Sequence, residues 1–115
     1  MEMESFRKDG ILILKPGVRR IDATDAIDFK SKMSEFVKNG SVDIVINLSE
    51  VDYVDSSGLG ALVSVLKEIG TRGEIKLCEV SNGVISILKL TRLDKVFDIH
   101  RSEKGAIDCF KGQVH

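Results

Sequence analysis

The sequence predicts a single α/β domain spanning residues 1-115, with a mixed five-stranded sheet and four helices in the order ββαβαβαβα. Three observations predict it. The chain opens with two strand-like stretches joined by Asp9-Gly10, and it then alternates short β-branched runs with segments whose apolar residues recur every three or four positions. Its 115 residues also suit one domain around one hydrophobic core. A hairpin followed by strand and helix alternation places the crossover helices largely on one face of the sheet.

The Asp9-Gly10 step suits the primed turns that close antiparallel hairpins, so MEMESFRK pairs with the strand carrying Ile11-Leu12-Ile13-Leu14. Pro16 and Gly17 end that strand, and Val18 to Ile21 form a loop. Ala26, Phe29, Met33, Phe36 and Val37 then mark one face of an amphipathic helix. Asp22 caps its first turn, Asp25 adds favourable charge there, and Asn39-Gly40 supplies a left-handed stop.

Val42 to Leu48 is apolar on both faces and reads as the middle of the sheet. From Ser57 to about Gly70, a helix presents Leu59, Leu62, Val63, Leu66 and Ile69, and Gly70 to Gly73 turns the chain into a strand over Ile75 to Cys78. Ser81 caps a helix carrying Val84, Ile87 and Leu88. Val96 to Ile99 reads as the last strand, and Ser102 caps a closing helix with Ala106, Ile107 and Phe110. The inward periods assign Ile11, Ile13, Ile44, Ile46, Leu62, Leu66, Leu77 and Leu88 to the core of a monomer.

Composition narrows the function. With 43% apolar and 30% charged residues the chain is an ordinary globular one. Seventeen Lys and Arg are scattered among eighteen Asp and Glu, leaving a charge of -1 and no basic patch for nucleic acid. No apolar run approaches the roughly 18 residues of a membrane span, and the amino terminus lacks an apolar targeting segment, so the expected location is cytoplasmic, away from any membrane. Cys78 and Cys109 form no CxxC and have no neighbouring His, which points to packed, reduced thiols and to no metal site.

One segment is more polar than a connection requires. Asn47 to Gly60 joins the central strand to the most apolar helix, and Asp55, Ser56 and Ser57 fall at that helix start. Unpaired N–H groups and the helix dipole there favour an anionic or hydroxyl oxygen. Capping needs only one such side chain, whereas two hydroxyls, an Asp, Gly58 and Gly60 make a small, approachable knob, so capping and a functional role both stay open on the residues alone. Ser56 as a hydrolase nucleophile finds little support: Val54 stands where the nucleophile elbow needs Gly, and the only histidines are His100 and His115. Gly58 and Gly60 complete neither phosphate-binding pattern, G-x-x-x-x-G-K-[ST] nor G-x-G-x-x-G.

Asp55-Ser56-Ser57-Gly58-Leu59-Gly60 resembles the signature of the sulfate transporter and anti-sigma factor antagonist (STAS) domains. The likeness runs from the strand at Ile11, through Ile21-Asp22, to Leu90-Thr91-Arg92-Leu93-Asp94-Lys95-Val96-Phe97. It implies a STAS-like fold and a stand-alone, serine-phosphorylated anti-sigma factor antagonist from a bacterium, not an enzyme. In such proteins the Ser directly after the Asp accepts phosphate, here Ser56. The unphosphorylated form binds an anti-sigma factor that is also a serine kinase, which frees the sigma factor. Phosphorylation releases it, and a metal-dependent serine phosphatase resets the switch. ATP and metal then belong to the partners, leaving this chain without a cofactor.

The resemblance places the docking surface on Arg19, Arg20, Ile21, Asp22 and Thr24 together with Asp55, Ser56, Ser57, Gly58 and Leu59. Where the family commonly has a shorter turn, Val18, Arg19, Arg20 and Ile21 separate Gly17 from Asp22. The alternative within the family is a STAS docking subunit of a stressosome or phospholipid-transport complex that is not phosphorylated.

Overall fold

The computed structural model describes residues 1–112. In chain order the elements are β1 (Met3–Lys8), β2 (Ile11–Pro16), β3 (Arg20–Ile21), α1 (Ala23–Lys38), β4 (Asp43–Asn47), β5 (Tyr53–Val54), α2 (Ser56–Ile69), β6 (Glu74–Cys78), α3 (Asn82–Leu90), β7 (Asp98–His100) and α4 (Glu103–Phe110). Asp9 and Gly10 both take positive φ, +54° and +80°, the backbone that a two-residue primed turn demands. Lys8 therefore faces Ile11, and the ladder runs out to Met3 opposite Pro16.

The main sheet has the order β1-β2-β4-β6-β7, with β1 antiparallel and the rest parallel. Each crossover from β2 to β7 steps in the same direction along the sheet, so connections of one hand put α1, α2 and α3 on the same face. Their starts follow the sequence chemistry. The Asp22 carboxylate accepts from the Thr24 and Asp25 amides at 3.0 and 3.1 Å, the Ser81 hydroxyl from Val84 N at 3.3 Å, and the Ser102 hydroxyl from Gly105 N at 3.0 Å. Gly40, at φ +96°, follows the end of α1 in the left-handed conformation expected of it.

Four features differ from the sequence reading. The core is two clusters, not one: Leu12, Leu14, Ile44, Ile46 and Leu77 pack under α1, α2 and α3, while Ile11, Ile13, Val45 and Cys78 pack under α4 with Ala106 and Ile107. Strand alternation forces this, because a fully apolar central strand projects every second side chain to the far face. Leu66 is only partly buried, and Val65 takes the interior position one residue earlier, since the buried stripe of α2 runs through Leu62, Val65 and Ile69.

The segment Val18 to Ile21 is not all loop, because Arg20–Ile21 pairs in parallel with Tyr53–Val54 as a second, two-stranded sheet. Finally, the last strand starts at Asp98 instead of Val96. Arg92 takes a left-handed φ of +64°, Leu93–Lys95 forms a short 3-10 turn, and Phe97 N closes onto Leu93 O at 2.9 Å. Val96 is spent on that turn and lies exposed while Phe97 is buried.

Candidate functional site

The site is assembled where β4 runs out. Asn47 turns the chain by accepting from Ser49 N at 2.9 Å through its side chain, and buried Val51 anchors the loop that leads into β5. Asp52 N and Asp55 N then donate to Arg19 O and Ile21 O at 2.7 and 3.2 Å, on either side of the β3–β5 ladder. These bonds lay the segment before α1 alongside the turn before α2. Arg19, Arg20, Ile21 and Asp22 thus adjoin Asp55, Ser56, Ser57, Gly58 and Leu59, with Thr24 following in the first turn of α1.

The two arginines are held differently. Arg19 pairs with Asp52 at 2.9 Å, both exposed, and Arg20 lies 4.7 Å from the centre of the Tyr53 ring. Exposed ion pairs and cation–π contacts are each worth at most about 1 kcal/mol, so both arginines stay available to a partner.

Asp55 answers the question of capping. Its carboxylate accepts from Gly58 N at 3.0 Å, and Leu59 N donates to its carbonyl at 3.0 Å. Ser56 and Ser57 are both exposed at the first two positions of α2, and neither is the capping residue.

Gly58 is buried where the two segments touch. A Cβ there would lie 2.5 Å from Val54 Cγ1, 3.0 Å from Ile21 Cγ2 and 3.2 Å from Ile21 O. We expect Gly58→Ala to lower stability by about 1–3 kcal/mol through overpacking at this seam. Thermal denaturation followed by circular dichroism tests it, and an unchanged Tm would show that β3 and β5 part without cost.

Ser56 also borders a shallow groove between α2 and the end of α3, lined by Leu59, Gly60, Val63, Thr91 and Leu93. Leu90, 86% exposed, lies one residue before Thr91. On the other side of the α2 start, Ser57 shares a depression with Ala23, Ala26 and Ile27, and Ile27 is 73% exposed. Sequence reading missed Ile27 and Leu90 as surface groups because each looks like any other apolar residue of an amphipathic helix. The only hint was that Ile27 falls beside, not on, the buried stripe of α1.

His100 belongs to β7 and hydrogen-bonds to Asp98, away from the start of α2, so it does not serve Ser56 as a base; His115 lies outside the described residues. No described helix is long and apolar enough to cross a membrane.

A hairpin-led mixed sheet, three helices on one face and an exposed pair of serines opening the second helix define a single α/β domain whose sheet and helix order is that of a known family. The STAS domain model matches residues 3–106, and this chain belongs to that family. It is 31% identical over 88 residues to the anti-sigma-B factor antagonist of Bacillus subtilis, covering 76% of this chain and 80% of that one. A crystal structure from Thermotoga maritima superposes with a TM-score of 0.84 at 30% identity, over 92% of both chains. The phosphorylated form of the Bacillus cell fate determinant SpoIIAA superposes with a TM-score of 0.72 over 95% of this chain and 99% of that one, a likeness of fold at 18% identity.

Proposed function

We propose that this chain acts as one STAS domain and as an anti-sigma factor antagonist, switched by phosphorylation of Ser56. In this reading the unphosphorylated form holds a cytoplasmic anti-sigma factor that is also a serine kinase, freeing the sigma factor. A metal-dependent serine phosphatase restores the phosphorylated form to that state. The observation that carries the reading is the division of labour at the start of α2: Asp55 supplies the cap, and Ser56 stands exposed beside it.

The partner surface in this reading comprises Arg19, Arg20, Ile21, Asp22 and Thr24 with Asp55 to Leu59, flanked by Leu90 and Ile27. The test is phosphorylation by kinase-type anti-sigma factors of the same genome, with ATP and mass spectrometry. One phosphate on Ser56, retained in Ser57→Ala and absent in Ser56→Ala, is the expected result. Phosphate on Ser57, or none with any such kinase, overturns it; the latter outcome favours a docking subunit that is never phosphorylated.

Arg20 tests the rest of the surface. If its guanidinium meets an acidic rim on the kinase, Arg20→Glu will slow association by about tenfold at low salt, with a smaller effect at high salt. Loss of the Tyr53 contact should leave stability within about 1 kcal/mol. Stopped-flow kinetics at two ionic strengths measure both, and wild-type rates would return the loop to ordinary surface.

A further inference from the structure

On the face of the sheet opposite α2, the fold collects three groups that the sequence keeps apart. Asp98 and His100 project from the same side of β7, two residues apart, and Cys109 reaches them from α4. Their donor atoms all lie within 4.8 Å of one another. His100 Nε2 is 2.9 Å from Asp98 Oδ2, and Cys109 Sγ is 3.9 Å from the same oxygen. We propose that Asp98, His100 and Cys109 bind a single divalent transition ion of the zinc type.

The donor set is the first reason. One imidazole nitrogen, one thiolate and one carboxylate form the mixed N, S, O shell that zinc and cobalt take, while magnesium and calcium prefer oxygen alone. The spacing is the second. Bond lengths of about 2.0 Å to N and O and about 2.3 Å to S imply tetrahedral donor separations of roughly 3.3–3.5 Å. The observed 2.9 and 3.9 Å bracket that range and the His100–Cys109 separation is no more than 4.8 Å, so modest side-chain rotations bring the three donors to tetrahedral spacing. Partial exposure of all three residues leaves a route in and a fourth position for water.

Charge is the third reason. Lys76, only 3% exposed, donates to Asp98 at 2.6 Å and to Glu74 at 3.1 Å, and its ammonium lies 4.8 Å from the centre of the Phe110 ring. Two carboxylates around one ammonium leave one negative charge over. A divalent ion with the Cys109 thiolate brings the set to zero: three anionic groups against one ammonium and one dication. Glu74 remains beside Lys76 when Asp98 turns toward the ion, so the buried ammonium is never unpaired. Lys76 then becomes the outer partner of a ligating carboxylate, an arrangement that orients such ligands.

A second triplet, Cys78, Glu79 and Glu103, is the natural rival. Burial, with the charges of Glu103 and Glu79 behind it, pushes the Cys78 thiol up to about 12, and Asn47 Nδ2 already bridges the two carboxylates at 3.0 Å each. Asn47 thus already holds the carboxylate oxygens that an ion at this triplet would need.

Cobalt(II) titrated into the full chain, kept reduced with a phosphine, reads the site directly. The expected result is one equivalent bound with a thiolate-to-cobalt charge-transfer band, bleached by added zinc. Cys109→Ser should abolish the band, His100→Gln should weaken cobalt binding at least tenfold, and Cys78→Ala should leave both unchanged. Absence of the band in the wild-type chain, its loss in Cys78→Ala with survival in Cys109→Ser, or full affinity in His100→Gln overturns the assignment. Because His100→Gln leaves the thiol in place, it keeps the test valid even if Cys109→Ser loosens α4.

Discussion

On the proposed function, Ser56→Asp will bind the kinase-type anti-sigma factor roughly 30-fold more weakly than Ser56→Ala, and the phosphorylated protein up to several thousandfold more weakly, with all three forms folded. The serine opens α2 on its exposed side, whereas Leu62, Val65 and Ile69 carry the packing of that helix on its buried side. Phosphate adds about -1.5 to -2 charge at pH 7, and the helix start tolerates it. Asp55 next to it repels, yet Asp55 is held by its cap on Gly58 N while position 56 faces water, so the fold absorbs the conflict cheaply.

The kinase surface of the proposed complex, shaped around a neutral hydroxyl, would have no such outlet. It must bury the charge without a partner, a mismatch of about 2 to 5 kcal/mol. Aspartate carries only one charge and should fall toward the lower end of that range, with phosphoserine at the upper. Isothermal titration of the two variants measures the gap, and equal affinities would remove Ser56 from the interface. Matching thermal melts of the two variants separate a lost interface from a folding defect that the aspartate alone could introduce.

Ile46→Asp will unfold the chain at room temperature or lower its Tm by tens of degrees. Ile46 is fully buried in β4, with Leu14 and Leu77 beside it in register on the two flanking strands. A carboxylate there has no described cation to meet, and either its charge or its protonation costs several kcal/mol. A domain of this size holds only about 5–15 kcal/mol in total, and each kcal/mol moves Tm by roughly 4–8 °C. Ile46→Val is the control, expected to cost about 0.5–1.5 kcal/mol. An unchanged melt for the aspartate variant would mean that β4 is not the centre of the sheet.

The elements were legible wherever local chemistry decided them. Asp9-Gly10 selects its turn because two left-handed residues in succession admit few side chains, and Asp22, Ser81 and Ser102 announce helix starts because orphan amides need an acceptor within reach. Leu66 and Val96 were misread for the same kind of reason. Periodicity places a stripe to within about one residue, and it does not show that a turn after Arg92 will consume a β-branched residue before the strand begins.

By itself, then, the sequence determined the order of elements, their caps, the apolar central strand and the Asp55-Ser56-Ser57 turn, because each depends on neighbours within a few positions along the chain. Only the tertiary structure decided what lies beside what. The short β3–β5 ladder binds Arg20 and Ile21 to Tyr53 and Val54, across more than thirty residues, and so builds one surface from two loops. The two-sided central sheet divides the core between its faces, and the return of α4 brings Cys109 to Asp98, His100 and Lys76. Such pairings follow from strand order and crossover hand, which are settled by the packing of the whole chain and leave no mark in any local run of residues.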